Sequence, residues 1–360
     1  MSVLLLVLGI LLFIGLVVLH EFGHFLAARR NGVEVEEFGI GFPPSFWKRK
    51  TKKGFYFSLN WLPIGGFVKL KGENDSATEK GSFGAASFKA KTKIMLAGVA
   101  MNLLAAFVIF TALAWLGMPQ LIRNQYTVEG DTKIFVGYVE PGSPAAKTGM
   151  HVGDQLAAIG PSGRQQKVSS VAGLPSLTKQ YAGQKTAVTY IRDGRAYTTS
   201  VTLRAAQQAK KGRSYLGVSP GMTRATWSAP VQGAGLVGQF TVETFRSLGA
   251  ALGALFRGNA AKASEQVSGP VGIVVALKAG SVLGYQFVLL IVGLISLSLA
   301  IMNVLPIPAL DGGRFYVLLL SRIFGRRLSQ DMEERIVGTS FVFLLLLIVL
   351  ITVVDVTRFF

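Results

Sequence analysis

His20-Glu21-Phe22-Gly23-His24 places two imidazoles and a carboxylate within five consecutive residues. On a helix, residues four apart share a face, so His20 and His24 can grip one metal ion from the same side. The spacing suits Zn2+, with Glu21 addressing a water that the metal activates. The chemistry is hydrolysis, because such a water is nucleophilic near neutral pH and a carboxylate beside it can take its proton as it attacks a carbonyl. The same pattern also occurs by chance in soluble helices. Here residues 3–19 are uninterrupted apolar sequence, and the apolar run resumes through Phe25-Leu26-Ala27-Ala28. An acid at the centre of a membrane helix costs about 2.5–3.5 kcal/mol, so ionisable groups found there are functional by default.

Two histidines leave a catalytic zinc one protein ligand short of its usual three. There is no cysteine, and the remaining histidine, His151, falls in a segment that reads as a soluble module across the membrane. The best-placed acid near an apolar block is Asp311, in Asn303-Val304-Leu305-Pro306-Ile307-Pro308-Ala309-Leu310-Asp311-Gly312-Gly313. Pro306 and Pro308 must break the helix ahead of it, freeing backbone groups where a cavity would need them. Asp311 also reads as an N-cap for a short helix over 312–323. Asn303 also reads as an interhelical hydrogen-bonding group. The residues alone leave both alternatives open.

The elements that must position these groups are membrane helices. Half of the 360 residues are hydrophobic, mean hydropathy is +0.46 and 16% are charged, against about a quarter in soluble domains. Segments 3–28, 94–117, 282–304 and 336–354 are long and apolar enough to span a bilayer. The first lacks the basic start of a secretory signal and is read as a retained helix. Between the first two spans, residues 29–93 hold 13 Lys and Arg against 6 Asp and Glu. The short loop after the third carries Arg314, Arg322, Arg326, Arg327 and Arg335. Basic short loops stay cytoplasmic. Both termini and the long segment 118–281 are therefore expected outside, in a bacterial inner membrane. Arg29 marks the cytoplasmic interface, and His20 lies roughly 13 Å before it, inside the bilayer on that side. The net charge of +18 fits anionic lipid headgroups, and no nucleic-acid motif accompanies it.

The membrane domain is thus read as 1–117 and 282–360. Within 29–93, Phe55–Leu62 favours a strand, Pro63-Ile64-Gly65-Gly66 a turn and Phe67–Leu70 a returning strand, a hairpin apolar enough to dip into the membrane. Residues 127–220 have the composition of a soluble α/β module. Ile134–Val139 reads as a strand, Ser143 as the cap of a helix starting at Pro144, and Asp193-Gly194 as the turn of a hairpin. The remaining stretch, 221–281, reads as a linker containing an amphipathic interfacial helix at 236–256, in preference to a fifth span.

HEFGH in the first membrane helix, with NVLPIPALDGG after the third, resembles the site-2 protease family of intramembrane zinc metalloproteases, most closely its bacterial regulator-of-sigma-E-type branch. The resemblance implies that Asp311 is the third zinc ligand and that Asn303, with Pro306 and Pro308, helps hold the substrate backbone. Ser268-Gly269-Pro270-Val271-Gly272-Ile273 is similar to the family as well. The sequence departs from it at Gly98-Val99-Ala100-Met101-Asn102, where relatives commonly have Gly-Pro. Pro141 to Ala145, Gly149 to Asp154 and Tyr215-Leu216-Gly217-Val218 resemble a single PDZ module, the last being similar to a loop that captures a C-terminal carboxylate.

The expected architecture is a polytopic α-helical membrane protein of four spans, with a membrane-associated β-hairpin and an inserted extracytoplasmic PDZ-like domain. The expected activity is a Zn2+-dependent endopeptidase that cleaves single-pass membrane proteins, trimmed beforehand by another protease. Gly66 and Phe67 would add their strand edge to an unwound substrate. One alternative is a non-catalytic PDZ scaffold with a structural metal, but a structural zinc takes four protein ligands and three are found. Another is a transporter, which would carry internal repeats, and none is seen between the halves.

Overall fold

In the computed structural model the described residues are 2–73, 77–122, 124–209, 214–264, 266–325 and 329–360; Arg326 and Arg327 of the basic loop lie outside them. The chain forms two compact units, residues 1–106 with 240–360 and residues 107–239. Its first element is helix α1 (Ser2–Arg30), followed by strands β1 (Val35–Lys50) and β2 (Tyr56–Leu70) and helix α2 (Phe88–Leu116). The sheet elements β3 (Met118–Pro119), β4 (Lys133–Val139), β5 (Gln155–Gly160), β6 (Gln166–Lys167), β7 (Lys185–Arg192), β8 (Arg195–Thr202) and β9 (Val218–Arg224) come next, with short helices α3 (Pro144–Lys147) and α4 (Gly173–Gln180) among them. Helices α5 (Ala229–Phe256), α6 (Ala260–Ser264), α7 (Pro270–Leu283), α8 (Tyr285–Val304), α9 (Asp311–Ile323) and α10 (Gln330–Phe359) complete the chain.

Among the described residues four helices, α1, α2, α8 and α10, are long and apolar enough to cross a membrane. This is a membrane protein. Each expected span falls within or against one of them; α2 and α10 begin six residues earlier than read, because Lys89–Lys93 and the acidic start of α10 are helical without being apolar. Helix α5 is long but is not one of the four. The stretch read as linker also contains α6 and α7, the latter opening at Gly269-Pro270 with Pro in the first turn.

The hairpin differs from expectation. Residues 55–62 and 67–70 do not pair with each other; both pair with β1, which the sequence reading left unassigned. Residues 37–40 stand opposite 66–69 and also opposite 56–59, while 45–50 stand opposite 56–60. Four segments therefore lie side by side in the order 45–50, 56–60, 37–40, 66–70, with residues 66–70 at one edge. Strand β1 escaped notice because Gly41 and Pro43-Pro44 interrupt it. At Gly41 the backbone has φ +78°, and a Cβ would come 2.4 Å from the Leu62 carbonyl oxygen.

In the second unit the seven strands run β3-β9-β4-β5-β7-β8, with β6 beside β5, all pairs antiparallel. The sheet thus extends from Met118 to Arg224, beyond the expected 127–220, because two-residue β3 and Pro220-containing β9 carry little strand signal. Ile134, Val136, Leu156, Ile159, Val188 and Leu216 are part of its buried core. Ser143 caps α3, accepting from Ala146 N–H. Asp193 and Gly194 both take positive φ between β7 and β8, as a two-residue hairpin turn requires. The chain enters and leaves the sheet side by side, where Ala225 N–H, just after β9, donates to the Ala114 carbonyl near the end of α2 at 2.8 Å.

Within the first unit, one further contact ties the last helix to α7. Asp355 of α10 is 1% exposed, and its Oδ2 accepts from Gly269 N–H at 2.9 Å and Gly272 N–H at 2.7 Å, at the start of α7. Near its other end, Ser340 Oγ accepts from Ala309 N–H at 3.2 Å.

Candidate metal centre

Helix α1 puts His20 and His24 on one face, one turn apart, and their Nε2 atoms stand 3.2 Å from each other. Asp311 Oδ2 lies 3.1 Å from the first and 3.2 Å from the second. Asp311 is the first residue of α9, and the cap position belongs to Leu310, which makes no side-chain cap. The N-cap alternative for Asp311 is therefore set aside: its carboxylate turns to the histidines. The approach depends on two glycines. A Cβ on Gly312 would meet the Val304 carbonyl oxygen at 2.4 Å, and one on Gly313 the Ile307 carbonyl oxygen at 1.9 Å.

The backing groups fix which imidazole nitrogens face inward. His24 Nδ1 donates to the Ile94 carbonyl at 2.7 Å, which leaves a lone pair on Nε2. His20 Nδ1 lies 3.2 Å from Asn102 Nδ2, while Asn102 Oδ1 is buried with no partner. A half-turn of the amide exchanges its two ends, and Oδ1 then accepts from His20 Nδ1–H. Asn102 is 1% exposed, and its own carbonyl accepts from Ser296 Oγ at 2.7 Å. Three lone-pair atoms therefore converge on one point, an arrangement that repels itself unless a cation sits among them. Donors around tetrahedral zinc at about 2.0–2.2 Å are roughly 3.3–3.5 Å apart. The observed 3.1–3.2 Å spacings are slightly tighter, so a small outward shift of the three donors would seat that ion. Room for the imidazoles comes from Gly98, where a Cβ would lie 2.4 Å from His24 Nε2 and 2.5 Å from His20 Cε1. Helix α2 passes through Val99 without a break.

Sequence reading missed Asn102 as a partner of His20, although a polar residue in an apolar helix was the available signal. The Ile94 carbonyl has no sequence signal at all. Replacing Asn102 with Ala should weaken zinc binding about 10–100-fold, the usual effect of losing the group behind a ligand. A chelator-competition titration would measure it, and an affinity within about twofold of wild type would remove Asn102 from that role.

Glu21 faces a cavity of about 160 Å3 that it lines with His24, Asp311, Gly66, Phe67, Val68, Glu73 and Arg314. A Cβ on Gly66 would come 3.1 Å from Glu21 Cγ. Gly66 and Phe67 are thus beside the carboxylate, on the edge segment of β2. Asn303 is not brought to the ligands: its Nδ2 donates to the Leu299 carbonyl, one turn back in α8, at 3.0 Å. This is a bond within the helix, where the sequence alternative was one between helices. Pro306 and Pro308 lie in the turn between α8 and α9, where Ile307 N–H donates to the Leu305 carbonyl at 2.8 Å.

The remaining predicted residues belong to the second unit. Leu216 is fully buried, with its carbonyl accepting from Ala145 N–H at 2.9 Å. The Tyr215 carbonyl accepts from Arg204 N–H and that of Gly217 from Glu140 N–H. Gly217 N–H donates to Ser214 Oγ at 3.2 Å, and Val218 opens β9. Beyond it, Gln120 N–H donates to the Gly221 carbonyl, and Met118 and Pro119 pair with Thr223 and Met222. Gly217 has φ +84°, with a virtual Cβ 2.2 Å from that of Ser143, so any larger residue there disturbs the fold itself.

The comparisons with known proteins bear on the same residues. The model of peptidase family M50 matches residues 8–347, from before His20 to beyond Asp311. A putative zinc metalloprotease of Clostridium acetobutylicum is 31% identical, covering 97% of this chain and 96% of that protein. The probable protease Eep of Enterococcus faecalis is 25% identical, covering 96% and 97%. The zinc metalloprotease RasP of Shouchella clausii is 25% identical over 98% of each. A zinc-spaced ligand set inside a full-length match leaves one assignment: the chain belongs to peptidase family M50, the site-2 proteases, and is a zinc metalloprotease.

Proposed function

We propose that the enzyme hydrolyses peptide bonds within apolar, membrane-spanning segments of other proteins, at a site held by His20, His24 and Asp311 with Glu21 as general base. The observation that carries this is the location of the converging donors: His20 and His24 sit within a helix apolar enough to cross a bilayer. Zinc, when bound, supplies a Lewis acid that polarises the carbonyl and makes water nucleophilic near neutral pH. Glu21 takes the proton of the attacking water and passes it to the departing nitrogen. The Ile94 carbonyl and Asn102 keep both Nε2 atoms free of protons. A helical substrate must first unwind, and residues 66–70 offer a strand edge beside Glu21 on which an extended segment can lie. Asn303 and the prolines would steady the substrate on the opposite side after a rotamer change at Asn303.

The second unit is read as an extracytoplasmic, PDZ-like filter. Its Gly217 N–H is already used, part of the β9 edge is covered by residues 118–120, and Pro220 has no N–H to give. These features favour exclusion by bulk over capture of a C-terminus. The substrates are then single-pass proteins of a bacterial inner membrane, shortened by an earlier cleavage.

The test is to map cut sites by mass spectrometry in a single-pass protein presented with and without its folded outer domain. Intact enzyme should cut only the shortened form, inside the apolar segment. Enzyme in which residues 118–224 are replaced by a short linker, a closure that the Ala114–Ala225 contact permits, should cut both. Cuts confined to soluble segments would overturn the intramembrane reading. Continued rejection of the untrimmed form by the deleted enzyme would overturn the filter.

A further inference from the structure

Arg314 lies in the active-site cavity and forms no ion pair with the acids that line it, among the described residues. It stands three residues after Asp311 on α9, on the same face of that helix. It shares the cavity wall with Glu21, His24 and Asp311. Among the described residues its guanidinium forms no ion pair. Its Nη2 reaches the Glu73 carbonyl at 3.4 Å, the long limit of a hydrogen bond, and its Nε is buried without an acceptor. The carboxylate of Glu73, the other acid on that wall, is engaged with Leu70 N–H at 2.8 Å. Glu333 of α10 borders a smaller adjoining cavity with Arg314. A partly buried guanidinium whose Nε has no acceptor is destabilising unless a ligand supplies one.

The reaction supplies the missing anion. Hydrolysis of an amide breaks the C–N bond, adds the water oxygen to the carbonyl carbon and sends one proton to the nitrogen. The acid formed then loses its own proton, so each turnover creates a carboxylate on the upstream fragment and an ammonium on the downstream one. That carboxylate appears in a cavity already holding the carboxylates of Glu21 and Asp311, which repel it. We propose that Arg314 is the receiving site for this new C-terminus. Its planar fork can take both carboxylate oxygens, a geometry that a neutral amide cannot satisfy. The inference rests on the hydrolytic reading above and adds to it a product-binding group that draws the upstream fragment away from the cleavage point.

The test compares two peptides of one apolar sequence, taken from the residues upstream of a mapped cut, one ending as a free acid and the other as an amide. Binding is measured to zinc-loaded, full-length Glu21→Gln enzyme in detergent, with and without Arg314→Gln. The acid should bind about tenfold or more tighter than the amide, the value of one charge-assisted hydrogen bond, and Arg314→Gln should remove most of that preference. Arg314→Lys, which keeps the charge but not the fork, should restore part of it at unchanged zinc content. An acid-to-amide ratio unchanged in Arg314→Gln overturns the proposal, and so does a ratio in Arg314→Lys as low as in Arg314→Gln. Loss of zinc from both Arg314 variants also overturns it, marking Arg314 as a support for Asp311 instead. Wild-type enzyme assayed alongside separates the two readings: if it cleaves and the ratio fails to move, this inference alone falls, whereas a wild type that binds no zinc and cleaves nothing overturns the hydrolytic reading.

Discussion

Purified Asp311→Ala should carry no zinc above background and cleave no substrate. Three donors converge, from His20, His24 and Asp311, and they are the one potential metal-ligand cluster among the described residues. Removing Asp311 leaves two neutral imidazoles and no negative charge against the ion. The loss should exceed the 10–100-fold that follows removal of a group behind a ligand. His20→Ala and His24→Ala should behave alike. Asp311→Asn is the informative intermediate, because it keeps an oxygen at the same place without the charge, and should bind zinc more weakly than wild type but better than Asp311→Ala. Metal content by elemental analysis, beside a melting curve showing that the protein is folded, makes the measurement. Full zinc occupancy in folded Asp311→Ala would take Asp311 out of the ligand set.

Glu21→Gln should separate binding from chemistry. The amide keeps the shape of the side chain, but it cannot take the proton of an attacking water. General-base assistance contributes about 10²–10⁴-fold, so turnover should fall by at least that much. Zinc content should match wild type, since Glu21 is not among the three converging donors. Substrate should remain bound and recoverable. Turnover within about tenfold of wild type would refute the assignment of Glu21.

What was legible in the sequence follows the reach of the forces involved. The pairing of His20 with His24 is a local fact of helix periodicity, and Ser143 and the Asp193-Gly194 turn are likewise local. The four apolar helices are visible because hydrocarbon imposes a length. Asp311 stood out from its residues as the best-placed acid and was assigned to the metal by motif resemblance; the lesser alternative, a helix cap, failed once Leu310 proved to hold the cap position. Beyond the hairpin at Asp193-Gly194, the pairing of strands across irregular turns was illegible. Residues 66–70 needed 37–40 as their partner, and nothing in either segment specifies the other across Gly41 and Pro43-Pro44. Asn102, the Ile94 carbonyl and Arg314 act through contacts made only after α1, α2, β2 and α9 have come together. The apolar span read at 336–354 stopped one residue short of Asp355, because a carboxylate counts against a membrane helix until its partners are known.

The contact between Asp355 and the start of α7 also bears on how the chain is made. Apolar helix surfaces gain little by leaving lipid for one another, and Asp355 is the sole buried residue of α10 among those described. The helix is seated by a polar lock more than by packing. During synthesis α10 is the last of the four spans to leave the ribosome, and it brings a carboxylate that hydrocarbon rejects. The receptor for that group, the open N–H groups of Gly269 and Gly272, has been made some eighty residues earlier. Insertion therefore has a built-in order in which α7 must be in position before the final span can settle, and a nascent chain with a damaged α7 entrance would hold its last helix near the headgroups, where quality-control proteases can find it.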